Sequence, residues 1–341
     1  MINVKNKKIL FISPSFFGYE TSIKKRLVEV GAIVDYFDER PANTFWTKAL
    51  IRIKRDLLSS HINKYYETIY QKIVNHTYDY IFVMDVEAMP VSFLEKLKNN
   101  NPSSIFILYL WDSIYNKKHT INYLSFFDHI YSFDPDDCKR NSTLVFRPLF
   151  FLNEYKNIAS YKKQEYEYDF SFIGTAHSDR YALIQKIYIQ IQNYCLKSYW
   201  YLYLQNWKIF YWNKITNKAF KKARLQDFHY SSLSKKEVVE IVRKSKIIID
   251  IQHPRQSGLT MRTIEMLGAQ RKLVTTNASI KNYDFYSDDN ILIIDRENPV
   301  IDENFCLREY KPLKECLYYK YSLDGWLEEI FSNTLIVPPG L

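Results

Sequence analysis

The chain has 341 residues, 47% hydrophobic and 25% charged, a globular composition with room for two domains of ordinary size. Cys138, Cys195, Cys306 and Cys316 form no C-x-x-C pair, which removes a zinc or redox signature. No window approaches the roughly 18 apolar residues of a membrane span, and the apolar run Ile9–Ser13 is too short for a signal peptide, so a cytoplasmic protein is expected.

In the first half, apolar runs alternate with helical periodicity. Strands are expected at Lys8–Ser13, Ile33–Asp38, Tyr78–Asp85, Ser104–Asp112 and His129–Phe133. Helical stretches lie between them, near Thr21–Val30, Phe45–Asn75, Val91–Asn99 and Ile114–Phe126. A polar, Tyr-rich connector follows over Arg147–Gln164. The rhythm then restarts with a strand at Tyr168–Ile173, ending at Gly174, and a helix at Tyr181–Tyr194.

The net charge of +9 is unevenly placed. Between Tyr181 and Tyr230 stand eight Lys and Arg residues and a single anion, Asp227. The cations of this segment, 186–224, are interleaved with Tyr199, Trp200, Tyr201, Tyr203, Trp207, Phe210, Tyr211 and Trp212. Such a composition fits a helical pair with core aromatics and solvated lysines. It also fits a surface that meets anionic lipid headgroups, while nucleic acid is not the expected partner. Ser234 to Glu237 reads as a capping box opening a helix to about Ser245. A strand at Ile247–Ile251, a helix at Thr260–Leu267, strands at Lys272–Thr276 and Asn290–Asp295, and a last helix at about Ser322–Ser332 complete the series. Two strand-first halves of this kind imply two Rossmann-like domains with parallel sheets facing a cleft.

The most informative stretch is Ile247–Gly268. Ile247, Ile248 and Ile249 suit a parallel strand covered on both faces. The residues from His253 to Gly258 break that pattern; Ser257 or Thr260 can cap the next helix, and Gly268 can end it. A loop that aims backbone N–H groups and a helix N-terminus above a sheet is an anion site, with phosphate its usual occupant. Arg262 and Glu265 share a helix face. They suit a phosphate and a ribose, and the same spacing also gives a plain surface ion pair. His253 can hydrogen-bond a sugar or phosphate oxygen.

Elsewhere in the second half, Gly174 permits close approach of a ligand or backbone, and Ser178 can cap the following helix. Arg180 sits in that helix's first turn, where it opposes the dipole unless it meets an anion. Neither a G-x-G-x-x-G fingerprint nor a Walker A motif is present. In the first half Gly18 opens a loop at the carboxyl edge of the sheet. Asp85, Glu87 and Asp112 stand at strand ends, where α/β proteins bind ligands. Asp112 is the preferred general base, because Trp111 and the apolar run before it should desolvate the carboxylate; the residue also fits a helix N-cap. The string Asp134-Pro135-Asp136-Asp137 suits a capped turn better than a metal site.

The residues SFIGTAHSDR (171–180), DIQHPRQSGLTMRTIEMLGAQRKLVTTN (250–277) and YSLDGWLEEIF (321–331) carry a resemblance. They resemble GT-B glycosyltransferases, specifically the CgeB-like and group 1 enzymes of bacterial surface-polysaccharide clusters. The resemblance implies an acceptor domain over 1–155, with Gly18 and Tyr19 on the acceptor side, and a nucleotide-sugar domain over 156–320. It also implies a C-terminal helix and tail, 321–341, crossing back to the first domain. The donor, expected to be a UDP-sugar, would meet Gly174, Arg180, Ser257, Gly258, Leu259, Thr260 and Arg262, with Glu265 holding the ribose. No cofactor or metal is implied, because protein cations and helix dipoles would stabilise the leaving diphosphate. One departure matters: many retaining members carry two glutamates eight positions apart. Glu265 fits the second, but position 257 is Ser257, so stereochemistry stays open. An inverting enzyme needs a base, for which Asp112 or Glu87 is expected, with His253 as a further catalytic candidate.

The function that follows is transfer of a sugar from a nucleotide diphosphate to a lipid-linked or oligosaccharide acceptor in lipopolysaccharide O-antigen or capsule assembly. The segment 186–224 would hold the protein at the inner face of the cytoplasmic membrane. Two alternatives remain: a nucleotide-sugar epimerase of the same fold, and a non-catalytic protein that binds polyanions or a membrane surface.

Overall fold

The computed structural model describes residues 2–44, 58–160, 166–176, 179–252 and 258–332. The chain divides into two compact units: Met1–Leu149 with the chain from Leu323 on, and Phe150–Ser322.

The first unit is built on strands β1 (Lys8–Ser13), β2 (Ile33–Asp38), β3 (Tyr80–Met84), β4 (Ile105–Leu110), β5 (His129–Ser132) and β6 (Leu144–Phe146). They form one six-stranded sheet in the order β2-β1-β3-β4-β5-β6, and each described pairing is parallel. β3 is buried along its whole length, as its unbroken apolar run requires. Helices α1 (Tyr19–Glu29), α2 (Ser59–Ile73), α3 (Val91–Asn100) and α4 (Pro135–Arg140) connect the strands. Asp134 caps α4 by accepting the N–H of Asp136 at 2.9 Å, which is the capped turn that its sequence suggests. The stretch expected to be helical over Ile114–Phe126 is instead 3₁₀ from Lys118 to Phe126.

The second unit holds α5 (Asn153–Ser160), β7 (Tyr168–Thr175), α6 (Arg180–Asn193), β8 (Ser198–Tyr203), α7 (Trp207–Thr216), α8 (Lys235–Arg243) and β9 (Ser245–Asp250). α9 (Met261–Ala269), β10 (Lys272–Thr275), β11 (Ile291–Ile293), α10 (Glu303–Leu307) and α11 (Glu315–Lys320) follow. Its sheet has the order β11-β10-β9-β7-β8, again with parallel pairings. Both sheets are therefore doubly wound. The second strand lies on one side of the first and the third on the other, so each sheet has a switch point where the winding reverses.

Three expectations change. The connector Arg147–Gln164 contains α5, and part of the basic aromatic segment is the edge strand β8. Gly268 does not end α9; Gln270 takes the left-handed C-cap at φ 51°. Gly268 sits inside the helix, where a Cβ would collide with the ring of Phe151, and its carbonyl accepts the Tyr318 hydroxyl at 2.6 Å.

The last helix, α12 (Leu323–Ser332), belongs to the first unit. Trp326 is fully buried, its ring centred 4.7 Å from Tyr109 and 6.0 Å from Phe82, and Phe331 meets Tyr80 at 5.3 Å. Two ion pairs fasten the helix: Arg26 with Asp324 at 2.5 Å, and the wholly buried Arg147 with Glu329 at 2.8 Å.

Candidate functional site

In the second unit β7 and β9 are neighbours, with Phe172 opposite Ile249, and they mark the switch point. Asp250, nearly buried at the carboxyl end of β9, accepts the hydroxyls of Thr260 at 2.5 Å and Thr263 at 2.7 Å. Thr260 caps α9 as expected, its oxygen taking the N–H of Thr263 at 3.2 Å. Asp250 thus locks the start of α9 against the end of β9 and aims the positive end of the helix at the switch point.

Two guanidinium groups converge at the same edge. Arg180, in the first turn of α6, donates to the Thr175 carbonyl at 3.3 Å. Its Nε is buried with no hydrogen-bond partner among the described residues. Burial lowers its pKa, and Arg296 lowers it further, while Asp250 and Asp179 raise it. Arg296 lies just beyond β11. It donates to Asp179 at 2.6 and 3.1 Å, to the Gln252 carbonyl at 2.9 Å and to the Thr276 hydroxyl at 3.4 Å. The loops after β7, β9 and β10 are thereby held around one cation. A buried N–H donor with no acceptor is costly on its own and is satisfied by an anion.

The expected residues are placed as follows. Arg262 and Glu265 do pair, at 3.1 Å, but Glu265 is buried at 7% exposure rather than on a free surface. The Tyr155 hydroxyl, on α5, bonds to both, and burial together with the Glu265 charge raises its pKa. At Gly174 a Cβ would stand 2.7 Å from the tip of the Phe172 ring, so the missing side chain lets that ring pack along the strand. Gly258 and Leu259 are buried beside the start of α9. His253 and Ser257, as well as Ser178, lie outside the described residues.

In the first unit the carboxyl edge carries a network of buried charge. Lys117 Nζ pairs with Asp85 and Glu87 and lies 3.7 Å from Asp112. Glu87 is also held by Arg40 at 2.7 Å. Burial works against its charge, but Arg40 and Lys117 outweigh it and hold its pKa down at about 2. A carboxylate held there takes up a proton poorly near neutral pH. Lys117 is pushed up by the three carboxylates despite its burial, and burial pushes Asp85 up. Asp85 has φ 63°, a strained backbone at the strand end.

Asp112 is only partly enclosed. Its side chain is 35% exposed and accepts the Ser113 N–H and the Asn116 amide, both at 2.9 Å. Glu39 carries the deeper burial instead. It is wholly enclosed, and Oε1 takes the N–H groups of Glu87 at 2.8 Å, Ala88 at 2.6 Å and Met89 at 2.7 Å. Burial pushes its pKa up to about 8 against those donors. Gly18 is left-handed at φ 77° with open space where a Cβ would be, and Tyr19 beside it is buried. Gly18 lets the loop after β1 turn into α1.

Sequence reasoning missed Asp250, Asp179, Arg296, Arg40, Lys117 and Glu39. The strand-end rule that selected Asp85 and Asp112 applies equally to Asp250 at the end of Ile247–Asp250. The others come from loops with no local pattern.

No family model and no curated protein matches the chain. Solved structures do. One is an α,α-trehalose-phosphate synthase (UDP-forming) from Burkholderia xenovorans in complex with glucose-6-phosphate, at TM-score 0.62 and 9% identity, covering 96% of this chain and 99% of that one. A glycosyltransferase from Rickettsia africae is similar at TM-score 0.61 and 11% identity, covering 97% and 99%. The Anabaena protein HepE in complex with UDP and glucose is similar at TM-score 0.58 and 10% identity, covering 97% and 100%. At such identities the likeness is one of fold: two parallel-sheet Rossmann-like units, the GT-B architecture.

Proposed function

We propose that the chain is a GT-B glycosyltransferase. It moves a sugar from a nucleotide diphosphate, a UDP-sugar first, to a lipid-linked or oligosaccharide acceptor in the assembly of lipopolysaccharide or capsule. It works at the inner face of the cytoplasmic membrane. The observation that carries the reading is the pair Arg180 and Arg296 at the switch point of the second sheet, beside the capped N-terminus of α9. Cations and a helix dipole at that point suit a diphosphate. The fold shared with the UDP-forming synthase and with the UDP- and glucose-bound protein supports the donor class.

In the reaction an acceptor oxygen bonds to the anomeric carbon as the bond from that carbon to the diphosphate breaks. Arg180, Arg296 and the α9 dipole offset the charge gathering on the leaving group. Arg262 and Glu265 are proposed as donor contacts through the start of α9. The acceptor proton goes to a carboxylate of the first unit. Asp112, 35% exposed and paired with Lys117 at the longer distance of 3.7 Å, suits that role better than Glu87, whose charge is neutralised by Arg40 and Lys117. No metal is called on, since arginines supply the positive charge.

The test is a screen of UDP, GDP, CMP and dTDP by thermal shift, followed by hydrolysis of the matching sugar nucleotides without acceptor. Stabilisation by one nucleotide that disappears in Arg180→Ala and Arg296→Ala supports the reading. The absence of any shift with any nucleotide counts against it.

A further inference from the structure

α7 turns its aromatic residues outward. Trp207, Tyr211, Trp212 and Ile215 are 56, 52, 68 and 82% exposed. At 3.6 residues per turn they fall within an arc of about 140°. Phe210 points the other way. It is buried, with its ring 5.6 Å from Phe228, which stacks on Phe220 at 5.4 Å. Asn206 fixes the start of the helix by accepting the Ile209 N–H at 3.1 Å. The helix is thus anchored by one side, and its other side offers a contiguous apolar face to solvent, which a soluble surface rarely does without a partner.

The charge around the face says which partner. Lys208, Lys214, Lys218, Lys221, Lys222 and Arg224 are all exposed. Lys214 donates to the Ala223 carbonyl at 3.0 Å, which fixes Lys222 and Arg224 beside the end of the helix. Those two residues also line a cavity of about 450 Å³ between β8 and α6, together with Tyr188, Trp200 and Leu202. Indole and phenol rings on one face with a ring of lysines around them match the boundary between acyl chains and anionic headgroups. The cavity has a mixed lining that includes Asp227, 3.5 Å from Arg224, and an i,i+3 pair with so exposed an arginine is weak enough to leave both cations to a lipid phosphate, with Trp200 and Leu202 beside the first part of its chain.

We infer that α7 docks the protein on an anionic bilayer, with Trp207, Tyr211, Trp212 and Ile215 entering the headgroup boundary and Lys222 and Arg224 binding a lipid phosphate at the cavity. The surface deepens the membrane placement proposed above, but it belongs to the second unit alone and needs no sugar donor.

Co-flotation of the full chain with vesicles tests this. Vesicles of phosphatidylcholine containing about a third phosphatidylglycerol bind the protein, vesicles of phosphatidylcholine alone bind it at least about tenfold more weakly, and raised salt releases it. Trp207→Ala with Trp212→Ala, and separately Lys222→Glu with Arg224→Glu, each weaken anionic-vesicle binding by about tenfold or more. Both double variants keep the UDP thermal shift, which shows that they fold. Equal binding to both vesicle types, or no binding to either, overturns the inference. So does displacement by inorganic phosphate beyond its screening effect, which would assign the cations to a free anion. Tighter binding to a single-stranded oligonucleotide than to vesicles also overturns it. If UDP fails while vesicle binding holds, only the transferase reading falls.

Discussion

Arg296 grips Asp179 through two donors, Nε to Oδ2 at 2.6 Å and a terminal nitrogen to Oδ1 at 3.1 Å, although 117 residues separate them in the chain. The pair joins the loop after β11 to the start of α6, and the same guanidinium also donates to the Gln252 carbonyl beyond β9. One side chain therefore sets the spacing of the elements that border the switch point.

Replacing Arg296 removes both this clamp and a cation. Arg296→Ala should weaken UDP binding by roughly ten- to a hundredfold, as expected for a lost charge-assisted contact. Arg296→Lys should recover little of it, because an ammonium cannot reproduce the planar fork. Titration calorimetry with UDP measures both. Equal affinities for wild type and Arg296→Ala would place the diphosphate elsewhere.

Glu87 and Asp112 separate a structural carboxylate from a chemical one. Glu87 is buried between Arg40 and Lys117, so Glu87→Gln takes the paired charge from the buried Arg40, while Lys117 keeps Asp85, and should destabilise the fold by about 3–5 kcal/mol. Its depressed pKa means that this stability is fully present above the ordinary carboxylate value and is lost as pH falls toward about 2. Asp112→Asn should leave stability nearly unchanged and lower kcat by roughly 10²–10⁴ if Asp112 takes the acceptor proton. Chemical unfolding and initial rates on the two variants distinguish the roles, and a stable Glu87→Gln with lost kcat would reverse them.

Glu39 sets a pH dependence of the opposite sign. Its folded pKa of about 8 lies above the ordinary 4.5, so between those values the folded state keeps a proton that the unfolded state has released. Stability from this group is therefore present below about 4.5 and falls as pH rises toward 8. Glu39→Gln keeps an oxygen for the three backbone donors and cannot ionise. Its unfolding free energy should gain on wild type steadily from pH 5 to pH 8.5 by a few kcal/mol, roughly the cost of charging a buried carboxylate. A pH-independent difference would mean that the three N–H groups hold Glu39 ionised throughout.

The strand rhythm was legible because parallel strands buried on both faces keep unbroken apolar runs. β1 matches its expected bounds, and the capping box at Ser234 closes as written, with Ser234 N–H to Glu237 at 2.7 Å and Glu237 N–H to Ser234 at 3.3 Å. β8 escaped because it is an edge strand whose aromatics are half-buried on both faces, which erases the alternation of a strand. α5 escaped because its short sequence carries one buried pair, Tyr155 and Ile158, within a polar connector. The candidate site was legible only where a strand ends in a loop and a helix begins, as at Thr260 and Arg180. Arg296 and Lys117 could not be found that way. Their partners are Asp179 and Asp85, far off in the chain, and nothing local marks a residue whose role is set by long-range closure.

Gly268 gives a test of packing independent of the chemistry. It lies in the middle of a helix turn, where alanine is normally the better residue by about 1 kcal/mol. Here the added methyl would meet Phe151 closer than real Cβ atoms essentially ever come. Phe151 cannot retreat freely, since it is buried, its N–H donates to the Tyr321 carbonyl at 2.9 Å, and its ring lies 4.8 Å from that of Tyr318. Gly268→Ala should therefore destabilise the second unit by about 1–3 kcal/mol, the usual cost of overpacking, despite its better helix propensity. Phe151→Leu should cost stability alone through lost contact. Combined with Gly268→Ala it should cost less than the sum of the two, because the smaller side chain makes room for the methyl. Thermal unfolding of the two single variants and the double variant measures the coupling. Strict additivity would show that α9 shifts as a body instead of pressing on Phe151.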